Sequence, residues 1–222
     1  MTERVSADAT TAEPETVLRA LQRAGVPSRF VDARLRTFHP RPGTRTAMQA
    51  ATALVAYPTN LLLSGPPGTG KTHLAVSILA GRIEAWLLAH GEPAPDPFDV
   101  YLGRIRRRWF PPVEPFVVVP TFLDELRAAV RYEQADDPLP GLFDAAVVVL
   151  DDLGREKASE WVVERLYVLI NERYNRCLAT VVTTNYTPEQ LAARGYESHI
   201  SRLAEDGRFV VMSATDNRRR RP

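Results

Sequence analysis

The sequence predicts an α/β fold, a mostly parallel five-stranded sheet between two layers of helices. Two observations carry this. Five short runs, "NLLLSG", "FVVV" (116–119), "AAVVVL" (145–150), "ATVVTT" and "RFVVMS", are nearly continuously apolar rather than alternating. That is the pattern of strands covered on both faces. Segments of helical periodicity separate most of them, so strands and helices alternate along the chain.

The elements follow in order. Residues 1–14 are small and polar without periodicity and read as disordered. "PETVLRALQRAGV" is a short helix with Val17, Leu18, Leu21 and Val26 on one side and Gly25 as its stop. "TRTAMQAATALVAY" is a second helix, and a third is expected from about Thr72 to His90. The proline-rich stretch 91–115 breaks the rhythm and reads as an insertion. After "FVVV", Thr121 with Asp124 resembles a capping box that opens a helix. "SEWVVERLYVLINERYNR" is a strong helix with Val162, Leu166, Leu169 and Ile170 on one face. "TPEQLAARG" is a short one, with Pro188 in its first turn and Gly195 past its end. Residues 1–23 are thus expected to form a tail and short helix, 24–216 one core, and 217–222 a basic tail.

Composition sets limits. The 222 residues are 45% apolar with a net charge of +1, so any nucleic-acid surface has to be local. The single cysteine, Cys177, leaves no internal disulfide and no cysteine-rich zinc cluster. The polar N-terminus lacks the apolar centre of a signal peptide. No run approaches the ~18 apolar residues of a membrane helix. These features predict a reducing, cytoplasmic setting with no membrane partner.

The chemistry begins at Gly65-Pro66-Pro67-Gly68-Thr69-Gly70-Lys71-Thr72, a complete G-x-x-x-x-G-K-[ST] pattern between a predicted strand and a predicted helix. Glycines let backbone N–H groups curl around an anion, and the helix start turns its positive end toward phosphate. Lys71 supplies an ammonium for the β- and γ-phosphates of ATP, and Thr72 a hydroxyl for Mg²⁺. His73 flanks the loop; we group it with the nucleotide-binding residues, although alone it reads as a helix-surface residue. An acidic partner follows in "AAVVVLDDLG": Asp151 is the metal-side acid, and Asp152 orients or deprotonates the attacking water. "VVTTNY" ends a strand in Asn185, which is either a hydrogen-bond donor to water or γ-phosphate, or a turn asparagine ahead of Pro188.

With these residues in view, the chain resembles the AAA+ ATPases of the DnaC/IstB group, bacterial helicase loaders and transposition helpers. The likeness rests on "AGVPSRF", "NLLLSGPPGTGKTHLA", "TFLDELR", "VVLDDLG", "SEWVVERLYVLINERY", "TVVTTN" and "HISRL". It implies a P-loop AAA+ core. Lys71 and Thr72 fall on the Walker A lysine and threonine, Asp151 and Asp152 on the Walker B acids, and Asn185 on sensor 1. Arg202 falls on the arginine finger that reaches a neighbour's γ-phosphate. A finger implies head-to-tail self-association. The resemblance also implies a replicative helicase or a transposase as partner.

Departures from the group's pattern shape the expectation. Asp152 stands where many AAA+ motors carry Glu, and its shorter arm predicts slow hydrolysis. The segment upstream of the core leaves little room for a helicase-binding module, and no substantial C-terminal lid follows the core. The insertion brings "RIRRRWF". There Arg104, Arg106, Arg107 and Arg108 with Trp109 and Phe110 form either a DNA contact, a solvated basic loop or a protein contact. Arg218–Arg221 add a basic tail, with Arg218 a candidate second nucleotide sensor. The leading expectation is a helicase-loader-like ATPase of DNA replication, acting on single-stranded DNA in preference to duplex. A transposition helper on duplex DNA and a nucleotide-gated switch with negligible turnover are the alternatives. A small-molecule phosphotransferase leaves "TTN" and "SRL" without a role.

Overall fold

β1 (Asn60–Ser64) is flanked on both sides by parallel neighbours. The computed structural model describes residues 14–90, 113–132 and 139–214. With β2 (Phe116–Val118), β3 (Val147–Leu153), β4 (Ala179–Thr184) and β5 (Gly207–Val211), β1 forms one parallel sheet in the order β2-β3-β4-β1-β5. The expected three-layer α/β/α arrangement is what the chain adopts. β4 stands between the strand that enters the glycine loop and the strand that carries the acids, so all three deliver their C-terminal ends to one edge.

Alternate side chains on each strand face opposite layers. Leu61, Leu63, Val147, Val149 and Val181 pack with α1 (Pro14–Arg23), α2 (Arg45–Ala56) and α3 (Lys71–His90). Leu62, Val148, Leu150 and Val182 pack with α4 (Val119–Tyr132), α6 (Glu160–Asn175) and α8 (Glu197–Glu205). Burying each of these side chains contributes about 1.5–3 kcal/mol, and the continuous apolar runs are needed because both faces are covered.

Several boundaries differ from the sequence reading. Val119 begins α4 instead of ending β2, with Pro120 in the helix's first turn, where its missing N–H and fixed φ fit. Thr121 therefore lies inside the helix and does not cap it. β3 continues through both aspartates to Leu153 by way of a register shift against β4. A short α5 (Pro140–Phe143) precedes it. The helix opened by Thr187, α7 (Pro188–Leu191) with the wide turn that follows it, breaks at Gly195 as expected: Gly195 is non-helical at φ 93°, and α8 begins two residues on. Residues 113–115, read as the end of the insertion, are docked. Glu114 is buried and takes Arg82 Nε on both carboxylate oxygens at 2.7 and 2.8 Å, and the Pro115 carbonyl accepts from Val149 N. The rest of the insertion, with Arg104, Arg106, Arg107, Arg108, Trp109 and Phe110, lies outside the described residues, as do residues 1–13 and Arg218–Arg221.

By length and composition α3 is long and apolar enough to cross a membrane, against the sequence expectation. It begins at the glycine loop and packs against α2 and β4, with Leu74, Ile78 and Leu79 fully buried, so its apolar surface serves the core. At the opposite edge of the sheet Arg173 of α6 is fully buried. Its guanidinium donates to Thr180 Oγ1 and to the carbonyls of Leu142, Ala145 and Ala179. Burial lowers its pKa to about 10. The arginine of "INERY" thus ties α6 to the beginnings of β3 and β4. Among the described residues, no lid domain follows β5.

Candidate nucleotide site

The site is built where β1, β3 and β4 end. Ser64 closes β1: its Oγ donates to the Tyr186 carbonyl at 2.7 Å and its carbonyl accepts from Met212 N at 2.7 Å. Gly65 N donates to the Thr184 carbonyl at 3.2 Å. The base of the loop is therefore clamped to the strands on either side. Gly65 sits at φ 144°, and a Cβ there would lie 2.1 Å from the Met212 carbonyl oxygen, so only glycine fits. Pro66 and Pro67 are exposed at the tip; Gly68 and Gly70 are half-buried at φ 79° and 98°. The Thr69 hydroxyl donates to the Pro66 carbonyl, and Lys71 Nζ donates to the carbonyls of Gly65 at 2.6 Å and Pro66 at 2.9 Å. The lysine ammonium is thus held inside the curl of the loop, where an anion would be wrapped.

Thr72, in the first turn of α3, donates to Asp151 Oδ1 at 3.0 Å. Asp151 is 5% exposed. Burial raises its pKa from the ordinary aspartate value. The hydrogen bond from Thr183 opposes the rise, the Asp152 charge adds to it, and the Thr72 bond and the Lys71 charge oppose it. A buried carboxylate beside a hydroxyl is an oxygen-only donor pair of the kind that suits Mg²⁺, so these residues fit the cation that the loop implies.

Asp152 sits in the shifted part of β3 at φ 61°, a left-handed conformation unusual for a residue other than glycine. Its N–H donates to Thr183 Oγ1 at 3.0 Å, and its carboxylate pairs with the exposed Arg155 at 3.3 Å. The two adjacent acids have different partners: Asp151 is bonded to Thr72 and Thr183, and Asp152 is paired with Arg155. Asn185 follows β4 directly and is exposed at the same edge. Thus Lys71, Thr72, Asp151, Asp152 and Asn185 share one edge of the sheet.

His73 and Arg202 are placed otherwise. His73 Nε2 lies 3.1 Å from the Arg34 carbonyl and 3.3 Å from Thr37 Oγ1, with its ring tilted against Phe38. It docks the segment ahead of α2 onto the start of α3, and burial lowers its pKa. Phe38 in turn packs against Gly70. Arg202 lies on α8, bonded to α6: Nε to Asn171 Oδ1 at 2.6 Å and Nη2 to the Tyr167 hydroxyl. Among the described residues no bond joins it to the phosphate loop of its own chain.

The sequence reading missed the hydroxyls. Ser64, Thr183 and Thr184 were read as strand residues, yet they carry the bonds that hold the loop and both acids. The available signal was three hydroxyl residues gathered at the C-terminal ends of two largely apolar strands. Phe38 and Arg155 carried no signal.

A glycine loop on β1, acids on β3 and a strand between them define the P-loop AAA+ fold. More particularly, the fold is that of the DnaC helicase loaders. The crystal structure of the DnaC helicase loader is matched with a TM-score of 0.66 and 26% identity, over 84% of this chain and 100% of that one. The crystal structure of DnaI is matched with a TM-score of 0.61 and 19% identity, over 86% and 93%. The replication initiator DnaA bound to AMPPCP and single-stranded DNA is matched with a TM-score of 0.62 and 13% identity, over 85% of this chain and 51% of that one. No protein-family model and no curated protein sequence matches the chain.

Proposed function

We propose that the chain is an ATP-binding, slowly hydrolysing AAA+ accessory ATPase that acts on DNA in the cytoplasm, a helicase-loader-like protein of DNA replication. The observation that carries this reading is the bond from Thr72 to Asp151, made across the sheet beside Lys71. The likeness to DnaC supplies the replication context.

In this reading Gly65–Thr72 cradle the phosphates of ATP, and Lys71 leaves the loop carbonyls for the β- and γ-phosphates. Thr72 and Asp151 hold Mg²⁺, which when bound neutralises phosphate charge. Asp152 orients or deprotonates water, and Asn185 hydrogen-bonds the water or the γ-phosphate. Arg202 of one subunit serves the nucleotide of the next in a head-to-tail assembly, because a guanidinium can match the charge of the transferring phosphoryl group. Slow turnover follows from the short Asp152 arm, which is also engaged by Arg155. The partners are single-stranded DNA and a replicative helicase, with Arg104, Arg106, Arg107, Arg108 and Trp109 as candidate DNA contacts.

The test is ATP turnover alone, with single-stranded DNA and with duplex DNA. We expect slow basal turnover raised by single strands. Stimulation by duplex alone would favour a transposition helper, and ATP binding with no turnover in any condition would favour a switch.

A further inference from the structure

The register shift between β3 and β4 removes ladder hydrogen bonds at the point where the acids stand. Two threonine hydroxyls of β4 replace them. Thr184 Oγ1 donates to the Leu153 carbonyl at 2.7 Å and touches neither acid. Thr183 Oγ1 touches both: it donates to Asp151 Oδ1 at 2.6 Å and accepts from Asp152 N at 3.0 Å.

We propose that Thr183 is a positioning residue that aims Asp151 at the metal and holds Asp152 in its left-handed turn. The proposal rests on the reading that Thr72 and Asp151 hold a divalent cation with ATP. Thr183 is fully buried in the interior of the sheet, and its branched Cβ restricts the side-chain torsion, so the hydroxyl has little freedom. Asp151 Oδ1 accepts from Thr72 and from Thr183. If the Thr72 hydroxyl turns to a cation, Thr183 is the donor that still fixes the carboxylate. Among the described residues no hydrogen bond falls on Asp151 Oδ2, which leaves that oxygen for a ligand. The bond to Asp152 N also places both acids under one hydroxyl, so their relative orientation depends on it.

The test uses a fluorescent ATP analogue titrated at increasing Mg²⁺, with the unaltered chain, Thr183→Val and Thr183→Ser. Thr183→Val keeps the shape and loses the hydroxyl; Thr183→Ser restores it. We expect Thr183→Val to bind the analogue as the unaltered chain does in EDTA. It should need on the order of 10–100-fold more Mg²⁺ to reach the half-point of the Mg²⁺-dependent gain, the usual effect of removing a group that orients a metal ligand. Thr183→Ser should return most of the way. A Thr183→Val half-point equal to that of the unaltered chain overturns the role of Thr183 alone. An unaltered chain that binds the analogue without any Mg²⁺ dependence overturns the metal reading beneath it. If Thr183→Val does not fold, as judged by its melting curve, Thr183→Ala is read by the same criterion.

Discussion

The Arg202 guanidinium lies 4.6 Å from the centre of the Tyr167 ring and donates to that residue's hydroxyl. A second bond, to Asn171, fixes its Nε. To serve a neighbouring nucleotide the arginine has to leave these partners. Arg202→Ala should lower assembled turnover by about 10³–10⁵-fold, the range for arginine fingers, with ATP affinity little changed. Mixing Arg202→Ala with Lys71→Ala subunits should restore part of the activity. Recovery in no mixture would contradict a shared site.

On the proposed reading Asp152 acts in the chemistry and not in ATP binding. Asp152→Asn keeps the side-chain size and removes the base, so turnover should fall by about 10²–10⁴-fold while ATP still binds. An Asp152→Asn chain that hydrolyses at the normal rate would assign the base elsewhere.

Gly65 is a backbone requirement and not only a motif letter. Gly65→Ala forces a Cβ against the Met212 carbonyl in a conformation that side chains rarely adopt. Urea unfolding should show a loss of at least about 1–3 kcal/mol, even without nucleotide. Unchanged stability would mean that the end of β5 yields.

His199 gives a pH signature. It is 1% exposed, donates from Nε2 to the Val163 carbonyl, and its Nδ1 has no hydrogen-bond partner among the described residues. Burial lowers its pKa to about 4, with the Arg202 charge adding to the effect. The unfolded chain therefore binds the proton first. The contribution is complete above the ordinary histidine pKa of 6.5 and is lost as pH falls toward about 4. Stability should drop by about 2 kcal/mol from pH 7 to pH 5 on this account. His199→Gln should flatten that part of the slope. An identical slope in His199→Gln would contradict it.

The fold was legible because its signals are local. Continuous apolar runs report strands covered on two faces, and Gly65–Thr72 require a strand before and a helix after. The helix boundaries were less legible. At Val119 the apolar run gives way to a helix that carries Pro120 in its first turn, and past Gly195 a second helix, α8, starts almost at once, which no local signal announced. Lys71, Thr72 and Asp151 could be read because their residue types are demanded by the chemistry. Thr183 could not. Its importance comes from a register shift between two strands, a tertiary property that no spacing along one strand announces. Arg202 was singled out by resemblance alone, and its bonds to Tyr167 and Asn171 depend on the packing of α8 on α6.

The central claim is that Gly65–Thr72 and Asp151 form an ATP site, and equilibrium titration with Mg-ATP tests it most directly. The unaltered chain should bind. Lys71→Ala loses a charge-assisted contact worth about 1.5–3 kcal/mol, so it should bind roughly 10–100-fold more weakly. Equal affinity in the two chains, or no binding by the unaltered one, would contradict the account.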